Sequence, residues 1–309
     1  MGAGGARARA RDGRIEAGGA RIPGRGDRHG GPLGRGERTG MSDSREVYIA
    51  PEIGATALSR LLAPFFPKYR VLNALEAEPA HLRHVCRNLV LSHDRRLLFV
   101  KNHKAACTST SQILHHYAHG RFFEGNIHRA QNTAIRIGRY HWPEIAPVMK
   151  AHSAFLFTFV REPEKRVLSA FRNFFEDGRN RALHKHMGPM RAHGFDPANS
   201  RSRNLDVFLD YIADCFAANR ARTDTHWRPQ VDTIGFGSVP YDLIGRMENF
   251  AGDLTQAFRA AGIADYPPKE VLEHRFNPSK GKGEEVTLTP AQRARIRDLY
   301  RDDYEAFGY

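Results

Sequence analysis

Cysteine is scarce: Cys86, Cys107 and Cys215 are the only three in 309 residues, an odd number with no C-x-x-C pair. That excludes a disulfide framework and a cysteine-built zinc site. No run approaches the ~18 uninterrupted apolar residues of a membrane span, and no apolar signal-peptide core follows the basic start. The expectation is a chain without a membrane span, cytoplasmic by default. The loop G-x-x-x-x-G-K-[ST] is missing, which disfavours an ordinary nucleoside-triphosphate kinase. Internal repeats are absent. Acids are short as well: 34 Asp and Glu face 47 Lys and Arg, a formal net charge of +13. Anionic partners are therefore favoured.

Lysine is absent from the first forty residues, which hold nine Arg, four acids and 13 of the 28 Gly. GAGGARARARDGR and GRGDRHGGPLGRGERTG show neither helical nor strand period. Such a segment cannot bury enough surface to offset its ordering entropy, so residues 1–40 are expected to be a disordered extension. Met41 opens an ordinary protein start, MSDSREVYIAPE. A start placed too far upstream explains the composition better than an RGG-like nucleic-acid tail. Residues 41–309 then read as one domain, and 41% hydrophobic residues are ample for its core.

Within that domain the apolar run Leu97–Val100 reads as a buried strand, followed by a small-residue loop and the helical pattern SQILHHYAHG, stopped at Gly120. FLFTFV (155–160) is the clearest strand, and it passes into EKRVLSAFRNFFEDG, a helix stopped at Gly178. Residues 121–150 read as loop with a short helix, and 179–203 as an irregular surface excursion. NLDVFLDYIADCFAAN is an amphipathic helix, YDLIGRMEN a strand and NFAGDLTQAFRAAG a helix. Thr289 with Pro290 opens a last helix to about Phe307. Strands alternating with helices predict an α/β fold, a central parallel sheet flanked by helices on both faces.

Two segments carry chemistry. In K-N-H-K-A-A-C-T-S-T (101–110), the small residues Ala105, Ala106 and Cys107 let the backbone approach an anion. The amides opening the next helix point at it, aided by the helix dipole. Thr108, Ser109 and Thr110 add hydroxyl donors, and Lys104 adds a point charge. In F-V-R-E-P-E-K-R-V-L-S-A-F-R-N (159–173), Arg161 follows a strand directly, where open α/β sheets contact ligands. Ser169 lies two helical turns on. A planar fork plus a hydroxyl suits a phosphate monoester. Taken singly, the first segment reads equally well as a basic turn before a capped helix, and the second reads better as a solvated strand-end Arg.

Together they resemble the two nucleotide-binding elements of the carbohydrate sulfotransferases, the group that includes the chondroitin 4-sulfotransferases and the HNK-1 sulfotransferase. There a P-K-V-A-C-T loop binds the 5′-phosphosulfate of 3′-phosphoadenosine-5′-phosphosulfate (PAPS), and F-V-R-E-P-F-E-R-L-V-S-A-Y-R binds its 3′-phosphate. Here the residues read H-K-A-A-C-T and F-V-R-E-P-E-K-R-V-L-S-A-F-R, and THWRPQ (225–230), YDLIGRMEN (241–249) and LYRDDYEAFGY echo the family in order. His103 replaces the proline before Lys104, and Glu164 the aromatic after Pro163. The family's N-terminal anchor and cysteine-rich acceptor region are not expected in this chain.

The resemblance implies a P-loop-NTPase-like sulfotransferase fold, PAPS as sulfuryl donor, no metal, and a carbohydrate or other hydroxyl-bearing acceptor, with an acidic one favoured by the charge. Lys104 is then the stabiliser of the leaving phosphate oxygen. The acceptor proton needs a base, for which His128 stands first, His226 second and His152 third. Arg166, Arg172 and the basic loop 275–283 are further candidate nucleotide contacts. The alternatives are a basic nucleic-acid-binding protein and an atypical P-loop kinase. No nucleic-acid module is recognisable, so no nucleic acid is expected as partner.

Overall fold

The computed structural model describes residues 45–52, 54–130, 133–178, 180–274, 276 and 287–309. The Arg/Gly-rich extension lies outside the described residues, as does the basic loop 275–283 apart from Phe276. Residues Ser44–Tyr309 form one compact unit.

Its centre is a five-stranded sheet in the order β3-β1-β2-β4-β5. The strands are β1 (Leu89–Leu91), β2 (Leu97–Val100), β3 (Arg136–Ile137), β4 (Phe155–Val160) and β5 (Leu243–Arg246). β2, β4 and β5 run parallel, whereas β1 is antiparallel to both β2 and β3. The expected parallel sheet is thus a mixed one. The cause is a tight reversal at 92–96: the Ser92 amide donates to the Leu97 carbonyl (2.9 Å), the Ser92 hydroxyl donates to Asp94, and Arg95 turns at φ 60°. A chain reversed this sharply can only return antiparallel.

Thirteen helices are found among the described residues: α1 (Ala57–Leu62), α2 (Pro67–Glu76), α3 (Ala80–Val85), α4 (Cys107–His119), α5 (Trp142–Lys150), α6 (Pro163–Phe171), α7 (Leu183–Ala192), α8 (Arg201–Asn219), α9 (Gln230–Ile234), α10 (Phe250–Ala260), α11 (Lys269–Glu273), α12 (Pro290–Leu299) and α13 (Arg301–Phe307). Two of them correct the sequence reading. The segment 179–203 holds α7, which buries His186, Pro189 and Met190. The C-terminal helix starts as expected, with Thr289 and Gln292 closing a reciprocal capping box, but breaks at Tyr300 into α12 and α13.

Strand periodicity divides the core. Leu89, Leu91, Leu98, Val100 and Leu156 point to one face and pack against α2, α3 and α5. Val90, Leu97, Phe99, Phe157 and Phe159 point to the other, against α4 and α10. Burying each large side chain contributes about 1.5–3 kcal/mol, which commits the register. Gly245 of β5 is needed for packing, since a Cβ there would meet the Phe159 ring at 2.7 Å. A third core lies off the sheet, where α6, α7, α8 and α12 enclose Trp227. The parallel register brings Lys101, Arg161 and Met247 to one end of the sheet, at the carboxyl ends of β2, β4 and β5.

Candidate active site

The loop after β2 turns twice through left-handed backbone at non-glycine residues, Lys104 (φ 68°) and Ala106 (φ 57°). Such positions cost of order 1 kcal/mol each and persist where surrounding contacts hold them. The holding groups are visible. The Asn102 amide donates to the Phe159 carbonyl (3.0 Å) and to Gln230 Oε1 (2.8 Å). The buried Arg166 guanidinium donates to the carbonyls of His103, Thr225 and Arg228. Arg166 is therefore a tie between the loop and the 225–228 segment, not the nucleotide contact expected of it. Ala106 caps α4 without a side-chain acceptor, so the first amides of α4 are left for a ligand.

Arg161 joins the two segments directly, its Nη1 donating to the Lys104 carbonyl at 3.2 Å. Gln230 fixes the strand end behind it, accepting from the Arg161 amide (3.0 Å) and donating to the Arg161 carbonyl (2.8 Å). The Gln230 and Val231 amides in turn donate to the buried Asp303 carboxylate on α13. The sequence echoes in THWRPQ and LYRDDYEAFGY thus meet as supports of the same loop. Ser169 is half-buried on α6, on the same side as Arg172 by its i, i+3 spacing. Arg172 leans on Glu176 at 3.8 Å.

Positive charge accumulates here. Burial lowers Lys104 to about 8, with Arg161 and Arg166 pushing the same way. Lys101, the first residue of the motif but given no role there, is buried at the loop's start, and burial lowers it too. Burial also lowers Arg161, helped by Arg166 and Arg172. Cations that depress one another in a dry site are stabilised by a bound anion, and this donor set fits a multiply charged phosphate ester.

Of the three candidate bases, two reach this end of the sheet. His128 Nε2 lies 3.1 Å from the Thr108 hydroxyl, its Nδ1 is buried without a partner, and burial with the charges of Lys101 and His226 lowers it to about 3. The His226 ring lies 4.6 Å from that of His103. His152 does not reach it: it precedes β4 and pairs with Asp242 (2.9 Å) at the amino end of the strands. Sequence reasoning gave no role to Lys101, His103 and Gln230, although they lie in the quoted motifs, and missed Asp224; the DTHWRPQ stretch, with Asp224 two residues before His226, held the available signal. Among the described residues no group of three or more His, Cys, Asp or Glu could hold a metal ion. No helix among them is long and apolar enough to cross a membrane.

A family model described as the sulfotransferase family matches residues 87–309. The chain belongs to the sulfotransferase family. This sulfotransferase is 24% identical over 242 residues to carbohydrate sulfotransferase 11 of Rattus norvegicus, covering 72% of this chain and 67% of the relative. It is 27% identical over 188 residues to carbohydrate sulfotransferase 12 of Mus musculus, 56% of this chain and 44% of the relative. Over 165 residues it is 28% identical to carbohydrate sulfotransferase 14 of Homo sapiens, 50% of this chain and 42% of the relative. No solved structure matches the chain. The matched span begins before β1 and contains both motif segments, so the family and the geometry concern the same residues.

Proposed function

We propose that this sulfotransferase transfers the sulfuryl group of PAPS to a hydroxyl of a carbohydrate acceptor. The observation that carries the reading is the Arg161–Lys104 hydrogen bond, which makes one anion site of the two strand-end segments. The strand–loop–helix cradle of β2 and α4, with uncapped amides, supports a P-loop-like way of holding the donor. The carbohydrate acceptor is supported by the names of the relatives, and an acidic one by the net charge of +13.

PAPS, when bound, supplies an activated sulfuryl group on a phosphate leaving group. Lys104 and the backbone at Ala105, Ala106 and Cys107, with the hydroxyls of Thr108, Ser109 and Thr110, would hold its 5′ end. Arg161 and Ser169 would hold its 3′-phosphate. The Lys104 ammonium neutralises charge that grows on the leaving oxygen, an interaction stronger in the transition state than before it. His128, through its contact with Thr108, orients a hydroxyl of the cradle. The burial of Lys101 and half-burial of Lys104 limit the screening of these charges by water.

The test is a thermal-shift comparison of PAPS and adenosine 3′,5′-bisphosphate against ATP and NAD, followed by transfer of labelled sulfate to a panel of glycans. Stabilisation by the first pair and labelled glycan are expected. Preference for ATP or NAD, with no sulfate transfer, would overturn the proposal.

A further inference from the structure

A chain of hydrogen bonds runs from the helical core to His226, whose ring lies 4.6 Å from that of His103 in the phosphate loop. The Tyr211 hydroxyl accepts from the Tyr48 amide (3.3 Å) and, because the Asp224 carboxylate on the far side of the ring can only accept, donates to Nδ1 of neutral His186 (2.8 Å). His186 then carries its proton on Nε2 and donates to Asp224 Oδ2 (3.1 Å). Asp224 Oδ1 accepts twice from His226, from the backbone amide (3.0 Å) and from ring Nδ1 (2.6 Å). With the proton on Nδ1, His226 Nε2 is a lone pair. Its only partner among the described residues is the Asn180 amide, at a long 3.3 Å.

His128 contrasts at each point. Its Nε2 is taken by Thr108, its Nδ1 is buried and unpartnered, and among the described residues no carboxylate pairs with it. An imidazolium formed at His128 would face Lys101, whereas one formed at His226 would rest on Asp224. Burial would raise the Asp224 carboxyl, but His226 and His186 hold it well below the usual carboxylate range, so it stays an acceptor.

We infer that Asp224 is a positioning residue that fixes the tautomer and orientation of His226, and that His226, not His128, accepts the acceptor proton. The inference rests on the proposed sulfuryl transfer. In that step the acceptor oxygen bonds to sulfur as the bond from sulfur to the phosphate oxygen breaks. The electron pair leaves on the phosphate oxygen, and the acceptor proton moves to His226 Nε2. Tyr211 and His186 keep the far carboxylate oxygen occupied, so α7 and α8 govern the chemistry from outside the cleft.

The experiment compares wild type with Asp224→Asn, His226→Ala, His128→Ala, Tyr211→Phe and the double variant Asp224→Asn/His226→Ala. Each is read for sulfate transfer and for affinity toward adenosine 3′,5′-bisphosphate. His226→Ala and Asp224→Asn should each lower kcat by about 10²–10⁴-fold. Bisphosphate affinity should stay within about threefold of wild type, and the double variant should be no slower than His226→Ala by more than about threefold. Added imidazole should partly restore His226→Ala, and Tyr211→Phe should lose only a few-fold in kcat. A His226→Ala enzyme turning over within about threefold of wild type, with His128→Ala collapsed, overturns the inference. So does an Asp224→Asn loss that appears equally in bisphosphate affinity, or that adds in full to the His226→Ala loss. If Asp224→Asn fails to fold, His226→Ala and its imidazole rescue decide alone. A wild type that binds no bisphosphate and transfers no sulfate removes the sulfuryl reading itself, which separates the two failures.

Discussion

Two histidine–aspartate pairs stand at opposite ends of the same parallel strands, and their contact distances are nearly alike. His226–Asp224 closes at 2.6 Å at the carboxyl end, His152–Asp242 at 2.9 Å at the amino end. What surrounds them differs. Asp224 is shared with a buried second histidine, and its partner ring faces His103 beside the Lys104 loop. Asp242 instead accepts from the Leu156 amide (2.7 Å), fixing β5 to β4, and its histidine is 41% exposed. Pair geometry alone does not make a base. The end of the sheet that gathers amides, lysines and arginines gives one pair a task in chemistry, and the other end gives its twin a task in strand registration.

The comparison breaks most visibly at Lys104. Lys104→Ala should lower kcat by about 10²–10³-fold, the usual loss for one oxyanion-stabilising group, with a smaller change in donor affinity. A loss confined to KM would leave Lys104 a binding residue only. The pH dependence follows from the same group. Its ammonium, lowered by burial to about 8, is the working form, so kcat/KM should fall as pH rises through about 8 in free enzyme. His128 acts on stability in the acid limb. Its folded value of about 3 lies below the unfolded 6.5, so between those values the unfolded chain binds the extra proton. Stability should therefore fall as pH drops through that window.

Next in size is the ligand effect at the carboxyl end. Adenosine 3′,5′-bisphosphate at 100 times its Kd should stabilise the protein by about 2.7 kcal/mol, and AMP by much less, because only the former carries the 3′-phosphate proposed to sit on Arg161 and Ser169. Equal shifts from both would remove the 3′-phosphate assignment. At the amino end, Asp242→Ala should cost about 1–3 kcal/mol, since the buried Leu156 amide loses its acceptor. Its kcat, measured well below Tm, should match wild type; a collapse in kcat would show that the two ends are coupled.

The strands β2 and β4 are legible in the sequence because each is a short apolar run entirely buried, and the strand–loop–helix order fixes where Lys104 and Arg161 fall. β1 is not, because its reversal into β2 uses Arg95 at positive φ and no glycine, so no turn signature marks it. α7 hides behind Gly188 and Pro189, although its buried face reaches Tyr211 and Asp224 through His186. The loop residues of the site are local and readable. The clamps that hold them, Gln230 on Asn102 across 128 positions and Asp303 on Gln230 across 73, join distant segments that periodicity cannot connect. That is also why His152 stood among the candidates, directly behind His226: distance along the chain carries no information about which end of a strand a residue occupies.

The smallest expected effect sharpens the comparison best. His152 sits at φ 47°, left-handed backbone that most side chains avoid and asparagine tolerates. His152→Asn therefore keeps the turn while removing the imidazole. The lost pair is an exposed one, worth about 0.2–1 kcal/mol, and Asp242 retains its bond to the Leu156 amide. A Tm change of no more than a few degrees is expected, with kcat and its pH profile unaltered. His152→Ala keeps the left-handed strain without the tolerance of asparagine, so it should be the less stable of the two variants, and equally active. Should either variant lose turnover while retaining bisphosphate affinity, proton acceptance would have to be sought at the amino end, and the division of labour between the two pairs would fail.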